Sequence, residues 1–257
     1  MKVIVLAAGQ GTRLRPLTDN QPKCMVEFRG KPIIDYIIET VKRNGIDNIV
    51  VVDGYRRDVL ENHLAGQNIK FRVNESYENA NMVSTLFCAG AELNDDIIIS
   101  YADIIYSPAV LEKLIDDPAE FAVVVDRDWK ELWSARMENP LLDAETMKID
   151  GEGFIYELGK KPKSYDEIQG QYIGLIKIKK DFLRTVIKYY DGLDRNAVYD
   201  GKNFDNMYMT SLIQLIADNV KKPKAVFING GWVEIDSVED LRVYEKAEIA
   251  ARAHQWF

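Results

Sequence analysis

Three separated stretches of the chain carry residue types suited to phosphate and metal chemistry. The first, Leu6-Ala7-Ala8-Gly9-Gln10-Gly11-Thr12-Arg13-Leu14-Arg15-Pro16-Leu17-Thr18, ends an apolar run at residues 3–6 and opens into a glycine loop. Glycines there let backbone N–H groups approach a polyphosphate that a side chain would hold away. Arg13 and Arg15 add permanent positive charge, and a guanidinium can bind phosphate through two parallel hydrogen bonds. The order is not that of a P-loop, which needs Gly-Lys-Ser/Thr. Nor is it a dinucleotide fingerprint, because Leu14 stands where a third glycine belongs. A bare Gly-x-Gly is equally consistent with a sharp turn flanked by surface arginines. The other two stretches end in Asp103, which follows a strand-like run, and in Asp236. In open α/β sheets ligands bind beyond the carboxyl ends of strands, which suits Asp103. Either aspartate alone also fits a turn or a helix cap, Asp236 before Ser237 in particular.

Elements able to position these residues can be read from hydrophobic spacing. Apolar runs at 3–6, 49–52, 69–73, 97–100 and 121–125 predict strands. Between them, helical spacing runs from Pro32 to a stop at Gly45, and over 58–64, 82–91 and 108–115. This alternation predicts an α/β fold, a mostly parallel sheet with helices on both faces. After Asp126 the pattern changes. Strands are expected at 147–149, 154–158, 172–178 and 225–228, helices at 181–190 and 207–219, and a long charged helix from Val238. No repeat or linker interrupts the chain, so one domain over 1–257 is expected.

Bulk properties narrow the chemistry. The 257 residues are 47% hydrophobic and 29% charged, enough to bury one large core. A net charge of −8 argues against a nucleic-acid surface, which needs an excess of Lys and Arg, so the ligand should be small. Cys24 and Cys88 are far apart, without a Cys-x-x-Cys, which speaks against a disulfide framework or thiolate zinc and fits a reducing cytoplasm. With only His63 and His254, imidazole metal centres and His-dependent triads are also disfavoured, leaving a hard cation held by carboxylates as the expected metal. The apolar start at residues 1–8 is too short for a signal peptide and is interrupted by 9–13. Nothing approaches the roughly 18 consecutive apolar residues of a membrane span. A soluble cytoplasmic protein is expected.

The glycine loop and the later Gln21-Pro22-Lys23-Cys24-Met25-Val26 together resemble the nucleotidyltransferases that join a nucleoside triphosphate to a sugar phosphate or a small alcohol phosphate. The resemblance implies a Rossmann-like, GT-A-like mixed sheet, with residues 1–126 as nucleotide-binding half and 127–257 as acceptor-binding half. It implies that Lys23 contacts the reacting phosphates with Arg13, that Leu6, Ala8, Gly9, Gly11 and Thr12 hold the nucleotide, and that Asp103 and Asp236 bind magnesium. The implied reaction is in-line attack by an acceptor phosphate oxygen on the α-phosphorus, expelling pyrophosphate. A phosphate monoester is mostly dianionic at pH 7, its second pKa being ~6, and needs no general base. A nucleotide-binding subunit without turnover would be expected to lack Arg13, Lys23 or a metal carboxylate, and all are present.

Asn79-Ala80-Asn81-Met82-Val83-Ser84-Thr85-Leu86 resembles the base-binding element of cytidylyltransferases for small head groups, which makes CTP the expected nucleotide and Asn81 and Ser84 candidate base contacts; either is equally a helix cap. Trp129 and Trp133, among charges after a predicted strand, fit an acceptor wall, surface packing or a contact in a homo-oligomer. An amino-acid phosphate needs an acid for its ammonium and a cation for its carboxylate, and Asp126, Arg136, Lys160 and Lys161 offer both. These segments, with Gln171-Tyr172-Ile173-Gly174-Leu175 and Asn206-Met207-Tyr208-Met209-Thr210-Ser211, resemble the cytidylyltransferases of capsular phosphoramidate pathways that act on L-glutamine phosphate. Tyr172 joins the acceptor candidates on that resemblance. Lys160-Lys161-Pro162 replaces the Glu-Lys-Pro of hexose enzymes, so only Lys161 maps onto the family lysine. Phosphocholine, 2-aminoethylphosphonate or a sugar 1-phosphate are the alternative acceptors.

Overall fold

The computed structural model describes residues 1–245. In the first half, β1 (Lys2–Leu6) leads through the glycine loop to a hairpin, β2 (Glu27–Phe28) and β3 (Lys31–Pro32). Then come α1 (Ile33–Arg43), β4 (Ile49–Asp53), α2 (Arg57–His63), β5 (Ile69–Val73), α3 (Met82–Phe87), β6 (Ile97–Tyr101), β7 (Ile104–Tyr106), α4 (Pro108–Asp116) and β8 (Phe121–Asp126). The second half contains α5 (Trp129–Arg136), β9 (Met147–Ile149), β10 (Ile155–Leu158), β11 (Gln171–Ile178), α6 (Lys180–Asp191), α7 (Met209–Asn219), β12 (Lys224–Ile228), β13 (Trp232–Glu234) and α8 (Val238–Tyr244). The remainder of the long helix expected from Val238 lies outside the described residues. Among those described, no helix is long and apolar enough to cross a membrane.

Seven strands form the central sheet in the order β12-β8-β11-β6-β1-β4-β5. Only β11 runs antiparallel to its neighbours, so the expected mostly parallel, mixed sheet is present. β1, β4 and β8 are buried along their whole length, which is why they read as continuous apolar runs. Their side chains still alternate between two cores. Val3 and Val5 pack with α1 and α4, while Ile4 and Leu6 pack with α3, α6 and α7.

Three local features were not legible in the spacing. The helix expected over 82–91 ends at Phe87, and a separate 3-10 turn follows at Gly90–Glu92, where Gly90 takes a positive φ. The ladder of β11 is interrupted between Tyr172 and Ile176. There Gly174 has φ +89°, and a Cβ on it would lie 2.7 Å from Tyr101 Cγ, so the glycine lets the Tyr101 ring pack against the bulged strand. Finally, β13 pairs antiparallel with β7, setting Glu234 opposite Ile104, and Ile235 N–H donates to the Asp103 carbonyl at 2.8 Å. That ribbon carries Asp236 back over more than a hundred residues to Asp103.

Two residues expected to touch the acceptor instead secure this ribbon. Asp126 is 1% exposed. It accepts Trp232 Nε1–H at 2.8 Å, Gly230 N–H at 2.9 Å and Asp128 N–H at 3.0 Å, fixing the turn that launches β13. Arg136, at the end of α5, donates from Nε to Asp240 at 2.8 Å and from Nη1 to Glu234 at 2.5 Å, its side chain 5% exposed. Asp240 in turn accepts the N–H groups of Asp236 and Ser237 at 2.9 and 2.8 Å and closes a capping box with Ser237 on α8. Both side chains are consumed by buried partners, so neither is available to a ligand. Removing the guanidinium should strand the buried Asp240 carboxylate and the half-buried Glu234. Arg136→Met is expected to lower unfolding stability by about 3–5 kcal/mol in urea titrations; a loss below ~1 kcal/mol would contradict this role.

Candidate active site

The carboxyl ends of β1 and β6, the ribbon and the glycine loop meet at one charged cluster. Lys23, from a single turn after Pro22, places Nζ 2.7 Å from Asp103 Oδ2 and 2.6 Å from Asp236 Oδ1. Arg13 pairs with the other oxygen of Asp236. Burial alone would lower the Lys23 ammonium, but Asp103, Asp236 and Glu234 outweigh it and hold the group above its ordinary range. Lys23 is therefore a fixed positive charge. Asp103 Oδ1 is buried and has no hydrogen-bond partner. Among the described residues no cluster of three or more potential metal ligands occurs. Magnesium, however, commonly takes only one or two carboxylates and completes its shell with water and phosphate, so Asp103 and Asp236 fit a divalent cation.

Loop geometry follows from its glycines. Gly11 has φ +64°, and a Cβ there would come 2.9 Å from Lys23 Cβ, so the turn both needs glycine and braces the lysine stem. Thr18 Oγ1 donates to the Gly11 carbonyl at 2.8 Å, closing the loop on itself. Gly9 differs, because a Cβ added to it would meet nothing within 4 Å. It lines open space.

That space is a cleft of about 680 Å³, with a smaller recess at one end. The two share Gly9, Lys23, Asn81, Met82 and Asp103. Leu6, Ala8, Cys24, Tyr77 and Thr85 line the recess, while Gly11, Thr12 and Arg13 line the cleft. Burial pushes the Cys24 thiol up to about 12, which makes it an apolar floor rather than a nucleophile. Tyr77 reaches the recess because Gly54 has no side chain; a Cβ there would lie 2.8 Å from Tyr77 Cβ. The structure thus gathers Leu6, Ala8, Gly9, Gly11, Thr12, Arg13, Lys23, Asn81, Asp103 and Asp236 at one opening. Asn81 is also the N-cap of α3, its Oδ1 accepting Met82 N–H at 2.8 Å. Ser84 is not at the opening. One turn further along α3 it donates to the Asp205 carbonyl at 2.8 Å and lines a separate depression.

Outside the recess, the cleft is also walled by Trp133, Asp143, Glu145, Gln171, Tyr172, Thr210 and Glu234. Of the expected acceptor residues, Trp133 and Tyr172 are here, Tyr172 edge-on to Tyr101 with centroids 5.6 Å apart. Trp129 is not. It is 4% exposed and packs under Trp133 and against Tyr165, because the helical turn from 129 to 133 stacks the two indoles along one buried face. Lys160 and Lys161 also lie outside the cleft, exposed on the far side of a positive-φ turn at Gly159. Lys160 pairs with Glu157, and Lys161 donates to the Leu142 carbonyl. Sequence reasoning missed Glu145, Asp143, Gln171 and Thr210 as site residues; no local pattern distinguishes them from other loop or strand-end polar residues. The bulge glycine Gly174 was the one signal nearby.

The two loop glycines should separate folding from ligand binding. Gly11→Ala is expected to lose about 1–2 kcal/mol of stability from the left-handed backbone, seen as a lower melting temperature. Gly9→Ala should melt within ~1 kcal/mol of wild type yet bind a nucleoside triphosphate at least ~10-fold more weakly by calorimetry. Equal affinity in Gly9→Ala would remove the loop from the binding surface.

Comparison with known proteins agrees with this geometry. Residues 3–153 match the MobA-like NTP transferase domain family. The chain is 52% identical over 250 residues to a CTP:phosphoglutamine cytidylyltransferase of Campylobacter jejuni, covering 95% of this chain and 98% of that protein. It is 25% identical over 217 residues to a choline-phosphate cytidylyltransferase of Streptococcus pneumoniae, covering 78% and 92%. The fold is shared with the inositol-1-phosphate CTP transferase from T. maritima, with a TM-score of 0.75, 22% identity, and 95% and 93% of the two chains covered. With the glycine loop, Lys23 and the paired aspartates at the opening of that fold, the chain belongs to the MobA-like NTP transferase family and is a nucleotidyltransferase.

Proposed function

We propose that the protein transfers CMP from CTP to L-glutamine phosphate, producing CDP-L-glutamine and pyrophosphate. The observation that carries this reading is the 52% identity to the phosphoglutamine enzyme over 95% of the chain, a span that includes both ends of the cleft. At 25%, the choline-phosphate relative is far more distant.

The site chemistry supports the same reaction. The recess beside Leu6, Cys24 and Asn81 takes the pyrimidine, and Gly9 leaves room for the triphosphate to approach the backbone. Arg13 and Lys23 then turn from the carboxylates toward the phosphates, where Lys23 keeps its proton and offsets charge on the α-phosphate. Asp103 and Asp236 would hold magnesium, which supplies charge neutralisation and orientation of the phosphates. An acceptor phosphate, already dianionic at neutral pH with a second pKa of ~6, needs no base, in keeping with a cleft lined by no histidine among the described residues. Rate enhancement therefore comes from positioning and charge.

Pyrophosphate release, measured with each nucleoside triphosphate against L-glutamine phosphate, phosphocholine, 2-aminoethylphosphonate and glucose 1-phosphate, should be greatest for CTP with L-glutamine phosphate. Turnover confined to glucose 1-phosphate would overturn the assignment. Lys23→Met should reduce kcat by roughly 100- to 1,000-fold. Asp103→Asn should weaken manganese binding followed by electron paramagnetic resonance in the presence of CTP, and cut turnover at least ~10-fold; unchanged turnover at saturating magnesium would remove Asp103 from the metal site.

A further inference from the structure

With Asp126 and Arg136 consumed in the ribbon and Lys160 and Lys161 outside the cleft, the residues expected to recognise an amino-acid head group do not reach it. The acceptor wall nevertheless carries a strong charge preference. Among the described residues its charged side chains are Asp143, Glu145 and Glu234, with no cation beside them. Two of the three are already engaged. Asp143 Oδ2 accepts Trp133 Nε1–H at 2.9 Å, and Glu234 is held by Arg136 at 2.5 Å. Among the described residues the Glu145 carboxylate has no hydrogen bond and no salt bridge.

Glu145 is also held in place. Gln171, from the start of β11, grips its backbone from both sides: Glu145 N–H donates to Gln171 Oε1 at 3.1 Å, and Gln171 Nε2 donates to the Glu145 carbonyl at 2.7 Å. The adjacent Thr146 is fully buried and receives the Lys160 N–H on its hydroxyl at 3.2 Å. A carboxylate on so constrained a backbone, at the cleft surface and without a partner, is preorganised for a ligand cation. Burial, with Asp143, Asp200 and Glu234 nearby, pushes the Glu145 carboxyl up to about 7. A bound cation would relieve that cost and hold the group ionised.

We propose that Glu145 binds the α-ammonium group of an amino-acid acceptor and so selects acceptors with a cationic head over sugar phosphates. The ammonium lies at the opposite end of such an acceptor from its phosphate, and Glu145 lines the cleft but not the recess proposed to hold the nucleotide base. The assignment rests on the cytidylyl-transfer reading above and adds the residue that sets acceptor class. Glu145 is a specificity residue and takes no part in bond making.

Steady-state kinetics on the full-length protein test it. Glu145→Gln should raise KM for L-glutamine phosphate roughly 10- to 100-fold, the loss of one charge-assisted contact, while KM for CTP stays unchanged and reports an intact fold. Glu145→Asp, which keeps the charge on a shorter arm, should recover part of the loss. N-α-acetyl-L-glutamine phosphate, which lacks the positive charge, should bind wild type as poorly as Glu145→Gln binds the natural acceptor, with no further penalty from the substitution. An unchanged acceptor KM in Glu145→Gln, or an equal penalty with the acetylated acceptor, would overturn the role of Glu145 and leave cytidylyl transfer standing. Absence of wild-type turnover with L-glutamine phosphate would overturn both.

Discussion

The Lys23 ammonium, shared between Asp103 and Asp236, is the interaction on which the site depends. It joins segments 80 and 213 residues away in the chain, and each partner alone would be a charge facing like charge. Two carboxylates cannot sit this close in a half-buried opening without a cation. In the free protein Lys23 and Arg13 supply it. In the proposed reaction the same positive charges would be wanted by phosphate, and Asp103 and Asp236 would hold a divalent cation that neutralises the two carboxylates instead. The site is thus assembled in a neutralised form, and its catalytic groups are those that hold it together.

Holding that cluster requires a rigid frame, which the antiparallel ribbon of β7 and β13 provides. The ribbon is only three residues long on each side, too short to persist alone. Buried polar contacts secure it at both ends. Asp126 takes the Trp232 indole and the Gly230 amide on one side, and Arg136 and Asp240 fix Glu234 and the Asp236 backbone on the other. Charged residues conspicuous in the sequence therefore act one layer behind the chemistry. They position the aspartates rather than meet the acceptor.

The two ends of the cleft differ in character as their ligands require. Around the glycine loop, Arg13 and Lys23 bring positive charge to one opening within a protein of net charge −8. Local convergence of a few cations outweighs the overall sign at such a distance, because solvent screening attenuates remote charges within about 8 Å at physiological ionic strength. The opposite wall is acidic and aromatic, with Glu145 beside Trp133 and Tyr172. On the proposed reading, one end favours phosphate and the other a cationic head group, which would orient a zwitterionic acceptor along the cleft.

Much of this was legible in the sequence. Apolar runs such as residues 3–6 and 49–52 have the pattern of doubly buried strands, and the glycine loop after the first of them carries its own local logic of φ and close approach. Gly9, Gly11, Arg13 and Lys23 come from one contiguous segment, so their meeting at one opening could be anticipated from spacing and motif. The acceptor end is built from side chains brought together by the bulge at Gly174, the turn at Gly159 and the docking of α5 on α8. Whether a charge such as Arg136 or Glu145 meets a ligand depends on which buried partners already satisfy it. Among the described residues Arg136 is paired and Glu145 is not, and the Arg136 pairs are contacts over roughly a hundred residues of chain. Residue type decided what chemistry the chain could perform; tertiary packing decided which of its charges remained free to perform it.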